Sequence, residues 1–190
     1  MLTTIAEEII KDVSHWVGHY ENILDDAGCK SIMNYPWSWQ PSTYSNDAGV
    51  VEKSDERVRM DECWCVEENR PYPLLKKSVI EVMNIYAQEH ERFSCIHHTD
   101  FRLNKYGVSG FMSSHVDNIH HSHGQSYGYP QCSVLLFLND DYEGGEFIVA
   151  NKKYETKRGS AIIFPSNFMF PHEVKEVIKG ERWSVVSWLM

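Results

Sequence analysis

The sequence predicts a mainly β protein, an antiparallel sandwich or jelly roll with helices lying against one face. Three observations carry that expectation. From Ser94 onward apolar residues alternate with a period of two, as Phe101 and Leu103 do in DFRLNKY. Turns bearing Gly, Asn or Asp, namely KYGVSG, NDDYEGG, KRG and IKGE, cut this half into seven or eight short runs. No helical stripe interrupts those runs.

Ahead of Ser94 the period is helical. Thr3 to His19 spaces Ile5, Ile9, Val13, Trp16 and Val17 by three or four residues, which predicts an amphipathic helix. Tyr20 to Tyr35 reads as a short strand or turn, then a helix begun at Asp25 or Asp26 with Cys29, Ile32 and Met33 turned inward. Pro36 and Pro41 bracket its end, and Ser42 to Gly49 is a loop. VRMDECWCV predicts a strand. Leu74 to Arg92 is the clearest helix, with Leu75, Val79, Val82, Met83 and Tyr86 in one stripe that backs a sheet. Later strands are expected at Phe111 to Asp117, Ser133 to Leu138, Glu146 to Val149, Ser160 to Phe164, His172 to Val177 and Ser184 to Leu189. No linker divides the halves, so the 190 residues are expected to form one domain, with helical support and loops over 1–93 and a β core over 94–190.

Composition narrows the function. Hydrophobic residues make up 42% and aromatics 13%, which excludes wholesale disorder, and a net charge of −9 argues against a nucleic-acid binder. No apolar run has the length to cross a bilayer, and the acids in MLTTIAEEIIKDV do not suit a signal peptide. Cys29, Cys63, Cys65, Cys95 and Cys132 are odd in number and lack a CxxC pair, so neither a disulfide framework nor a zinc ribbon is supported. A cytoplasmic protein with reduced thiols and no membrane partner is expected.

The chemistry gathers between Ser114 and Ser184. On a strand His115 and Asp117, two apart, project from one face, and His172 follows 57 positions after His115. Two imidazoles and a carboxylate make a facial triad, which leaves one side of an octahedral Fe(II) open. Arg182, after the turn at Gly180, returns beside His172 and offers a carboxylate a bidentate fork. Ser184 shares its strand face.

The segments YGVSGFMSSHVDN, LLFLNDDYEGGEF, KRGSAIIFPS and PHEVKEVIKGERWSVVSW together resemble the Fe(II)/2-oxoglutarate-dependent dioxygenase superfamily, in its prolyl 4-hydroxylase-like branch. YENILDDAGCKSIM is similar to the N-terminal entry of that branch. The resemblance implies a double-stranded β-helix, or jelly-roll, core. It implies Fe(II) on His115, Asp117 and His172, 2-oxoglutarate on Arg182 with Tyr106 or Ser184 as a further partner, and ascorbate as reductant. Phe137 stands where oxygen-sensing relatives place a cosubstrate-binding tyrosine. The implied reaction is hydroxylation of an unactivated C–H bond by dioxygen (O2), first of a prolyl residue in a peptide or protein, with succinate and carbon dioxide released. Hydroxylation of a free amino acid or other small molecule, and a jelly-roll metal-binding or interaction protein without turnover, are the alternatives.

Several features carry two readings. His120, His121 and His123 form either a second metal site or part of a lid. Trp37, Trp39, Tyr127 and Tyr129 are candidate lid residues over a substrate, or, for the tryptophans, core covers beside prolines. Cys63 and Cys65 face one way on a strand and are expected to pack rather than bind zinc.

Overall fold

The computed structural model describes residues 13–45, 51–52, 56–118 and 129–190. The strands in chain order are β1 (Gly18–Tyr20), β2 (Gln40–Pro41), β3 (Tyr44–Ser45), β4 (Val51–Glu52), β5 (Val58–Arg59), β6 (Asp61–Cys65), β7 (Phe101–Tyr106) and β8 (Phe111–His115). They continue as β9 (Cys132–Phe137), β10 (Glu143–Gly144), β11 (Phe147–Val149), β12 (Lys152–Tyr154), β13 (Ala161–Pro165), β14 (His172–Val174), β15 (Val177–Lys179) and β16 (Arg182–Leu189). Helix α1 (Asp26–Met33) follows β1, and α2 (Tyr72–Glu89) follows β6.

Two antiparallel sheets face each other as a double-stranded β-helix. The larger has seven strands in the order β1-β13-β9-β16-β7-β6-β2, and the smaller five in the order β12-β11-β14-β8-β5. Residue parity divides the larger sheet's two faces. Leu103, Val134, Leu136, Val185 and Leu189 pack outward against Ile32, Leu75, Val79 and Val82 of the helices. Leu135, Phe137, Ile162, Val186 and Trp188 point inward and meet Phe147, Val149 and Val174 of the smaller sheet. Both faces of β9 are therefore covered, which is why all six of its residues are buried rather than alternating.

The N-terminal part departs from the sequence expectation in several places. β3 lies within the expected loop Ser42 to Gly49, VRMDECWCV divides into β5 of the smaller sheet and β6 of the larger, and the first helix is not where its periodicity put it. Of the helix expected over Thr3 to His19, residues 3–12 lie outside the described residues; Val13–Trp16 is a 3-10 turn, and Gly18 and His19 are already strand. β1 pairs antiparallel with β13, Gly18 against Ile163, so backbone pairing to a sheet edge overrides local helical periodicity. α1 begins as expected: the Asp25 side chain accepts from Gly28 N at 2.7 Å, a cap worth about 1 kcal/mol. Ahead of that cap, Ile23 N and Leu24 N both donate to Gly159 O, at 2.9 and 3.0 Å. Gly159 has φ +76°, and a Cβ there would collide with the Leu24 carbonyl. Among the described residues no helix is long and apolar enough to cross a membrane.

Candidate metal and cosubstrate site

His115 ends β8 and His172 begins β14, and the two are direct cross-strand partners. Their rings lie 4.2 Å apart between centroids. β8 stops at His115, two residues earlier than the sequence suggests, and Asp117 sits in the bend that follows. That bend is fixed by neighbours: Asn118 N donates to Ser166 O at 2.9 Å, and Ser133 Oγ donates to Asp117 Oδ2 at 2.6 Å. Asp117 thus reaches the histidines from a tethered bend rather than along a regular strand.

The imidazoles are oriented by backbone carbonyls. His115 Nδ1 lies 2.9 Å from Ser113 O, and His172 Nδ1 lies 3.2 Å from Phe170 O. A carbonyl only accepts, so each Nδ1 carries the proton and each Nε2 keeps its lone pair. Both lone pairs converge on one carboxylate: His115 Nε2 is 3.5 Å from Asp117 Oδ1, and His172 Nε2 is 3.4 Å from Asp117 Oδ2. One ligand atom from each of the three residues falls within 4.8 Å of the others. Burial holds His172 down to about 4 against the pull of Asp117, so its ring is neutral at ordinary pH. Burial alone would push the Asp117 carboxyl up; the hydrogen bond it accepts from Ser133 Oγ opposes this and favours the ionised form. A neutral imidazole and an ionised carboxylate are the forms a cation needs.

Arg182 is fully buried on the inner face of β16, opposite Tyr106 of β7. Its Cζ lies 5.2, 5.4 and 5.9 Å from the rings of Tyr106, Phe137 and Phe147. The Phe147 ring is also 6.1 Å from the His172 ring, so one aromatic side chain touches both the triad and the guanidinium. Arg182 Nη1 donates to Ser184 Oγ at 3.2 Å, while Nε and Nη2 are buried without a hydrogen-bond partner. A buried cation without a counter-charge costs several kcal/mol, so two unpaired donors in this aromatic chamber suit an anionic ligand. The donor set at the triad and the orphaned fork at Arg182 both fit Fe(II) with 2-oxoglutarate.

The other site candidates fall elsewhere. Tyr106 and Ser184 share the chamber with Arg182, and Phe137 lines it with a ring that cannot donate a hydrogen bond. Trp37 and Trp39 do not come to this face. Trp37 Nε1 donates to Ile32 O at 2.8 Å, and Trp39 meets Trp183 edge-on at 4.9 Å; both pack against the helix-side core. Tyr129 is exposed. Tyr127, His120, His121 and His123 lie outside the described residues. Cys63 and Cys65 are buried on the helix side. Ser133 and Ser166, whose hydroxyls are 2.8 Å apart, were not expected at the site. A serine inside the otherwise apolar run CSVLLF was the available signal.

Residues 101–190 match the model of the 2OG-Fe(II) oxygenase superfamily. A PKHD-type hydroxylase of Rippkaea orientalis is 36% identical over 157 residues, covering 80% of this chain and 63% of that protein. Human prolyl 3-hydroxylase 2 is 41% identical over 70 residues, covering 33% of this chain and 10% of that protein. The chain thus spans less than two thirds of each of these relatives. In fold it is similar to a Trichoplax adhaerens prolyl hydroxylase in complex with a hypoxia inducible factor peptide fragment, at TM-score 0.70 and 13% identity, covering 98% of this chain and 89% of that one. Triad, buried fork and sequence match coincide in residues 101–190, the stretch over which the chain is similar to the 2OG-Fe(II) oxygenase superfamily.

Proposed function

We propose that the chain is an Fe(II)- and 2-oxoglutarate-dependent dioxygenase that hydroxylates a prolyl residue in a peptide or protein, with release of succinate and carbon dioxide. The observation that carries this reading is the buried Arg182 fork one phenyl ring away from the triad. A metal site alone suits many proteins. A metal-ready triad beside an unpaired guanidinium suits a ligand that chelates at one end and is anionic at the other, as 2-oxoglutarate is.

Each side chain then has a defined task. His115, Asp117 and His172 hold the metal, their lone pairs aimed by Ser113 O and Phe170 O and the carboxylate steadied by Ser133. Arg182 fixes the far carboxylate, with Tyr106 or Ser184 as the further hydrogen-bonding partner. When bound, Fe(II) with 2-oxoglutarate and dioxygen would supply the oxidising chemistry, which no side chain here provides, one oxygen atom going to the substrate C–H bond and the other to succinate. Phe137, Phe147 and Phe164 wall the chamber and keep water from it. The peptide substrate is supported by the names of the relatives and by the peptide held in the Trichoplax neighbour. Ascorbate as reductant and a cytoplasmic setting complete the reading, the latter supported by five free, buried thiols.

The test is to incubate the iron-loaded protein with 2-oxoglutarate and a proline-containing peptide library, and to read oxygen incorporation by mass spectrometry alongside succinate. Added oxygen on prolyl residues is expected. Oxygen only on free amino acids would remove the peptidyl part, and no substrate-dependent succinate would favour a binding protein.

A further inference from the structure

The inner face of the barrel carries a second cation that the triad and 2-oxoglutarate leave unused. Arg102 of β7 lies directly across from Val186 of β16. Val186 shares strand parity with Arg182, Ser184 and Trp188, and Trp188 lies across from Ser133, the serine that holds Asp117. By register Arg102 therefore projects from the same inner face of the larger sheet as Arg182, toward the smaller sheet that carries His115 and His172. Its guanidinium lies 4.9 Å from the Trp188 ring, and its charge acts on both Tyr106 and His172.

This cation is not neutralised in the usual way. Its ion-pair partner, Glu62 Oε2, is 3.8 Å from Nη1, too far for a hydrogen bond, and the same carboxylate oxygen accepts from Ser42 Oγ at 2.7 Å. Arg102 Nε is buried without a hydrogen-bond partner, and so is Oδ1 of Asn104, the next inward residue on β7. The Arg102 side chain nonetheless keeps 15% of its surface exposed. Beside it, Trp64 stands 6.2 Å from Trp188 and is itself partly exposed. At the surface the wall thus offers the Trp64 indole and an underused guanidinium, backed by the buried Trp188 ring and the bare Asn104 acceptor. A charge held this way gains most from a ligand that supplies a carboxylate.

We infer that Arg102 reads the substrate: its guanidinium receives a carboxylate carried by the substrate, while the chain beside that group rests on the exposed ring of Trp64, directly across from Arg102 on β6. This rests on the dioxygenase reading above and adds to it a substrate class, a prolyl peptide with an acidic group next to the proline. The carboxylate comes either from an acidic side chain or from a free peptide C-terminus. The net charge of −9 favours neutral or basic partners at long range, so this recognition operates only at contact.

The experiment measures peptide binding to protein loaded with Mn(II) and 2-oxoglutarate, under nitrogen so that no turnover occurs. The first probe pair is Ac-Gly-Pro-Glu-Gly-NH2 against its Gln counterpart; the second is Ac-Gly-Pro-OH against Ac-Gly-Pro-NH2. The native protein should prefer the carboxylate member of one pair by roughly ten-fold or more, as a charge-assisted contact requires, and the preferred pair names the source. Arg102→Gln should abolish that preference, and Arg102→Lys should keep part of it. Equal binding within both pairs by the native protein would overturn the inference, as would a preference that survives in folded Arg102→Gln. The same peptides given Fe(II) and oxygen, then read by mass spectrometry, keep the two readings apart. Preference without hydroxylation counts against the prolyl reaction alone, and hydroxylation without preference counts against Arg102 alone.

Discussion

Ser133 Oγ donates a 2.6 Å hydrogen bond to Asp117 Oδ2, and the same hydroxyl lies 2.8 Å from Ser166 Oγ. This places a buried hydroxyl pair behind the only carboxylate of the triad. Ser133→Ala should weaken metal binding by about 10- to 100-fold, the usual cost of losing a group that orients a metal ligand, while the fold persists. Titration of Fe(II) under nitrogen checks it; undiminished affinity would mean that the bend alone positions Asp117.

Arg182 is the next point of leverage. Arg182→Ala should raise the 2-oxoglutarate concentration needed for half-saturation by at least about ten-fold, since two charge-assisted hydrogen bonds are lost. Arg182→Lys should recover part of that loss, because charge returns without the planar fork. Calorimetric titration of the cosubstrate into metal-loaded protein measures both, and three equal affinities would remove Arg182 from the site.

Gly159 joins the N-terminal segment to the barrel through Ile23 and Leu24. Gly159→Ala meets both a positive φ and the Leu24 carbonyl, so unfolding by denaturant should shift by about 1–3 kcal/mol or more. A change within a few tenths of a kcal/mol would show that this segment adjusts freely.

Much of this was legible beforehand, for reasons that individual residues show. The β core announces itself through β7, where apolar Phe101 and Leu103 on the helix side alternate with polar Arg102 and Asn104 on the inner face, and α2 because Leu75, Val79, Val82 and Tyr86 form one buried stripe. The H-x-D spacing marked His115 and Asp117, although Asp117 joins the cluster from the bend after β8 rather than from a shared strand face, and His172 joins it by beginning a strand that pairs with the end of β8. β1 was hidden, since its strand state depends on β13, more than a hundred residues away. Trp37 and Trp39 were ambiguous because periodicity does not say which face of a sheet an aromatic covers; the structure turns them to the helix side. Ser133 and Arg102 read as ordinary strand residues until register sets them opposite Trp188 and Val186.

The central claim is that the triad and Arg182 bind one ligand pair together. Its most direct test is calorimetric titration of 2-oxoglutarate into the protein under nitrogen, with and without Fe(II), for the native chain and for His172→Ala. One equivalent should bind tightly to the native chain only when Fe(II) is present, and His172→Ala should lose that metal-dependent binding while remaining folded by circular dichroism. Equally tight binding without metal, or in His172→Ala, would contradict the account.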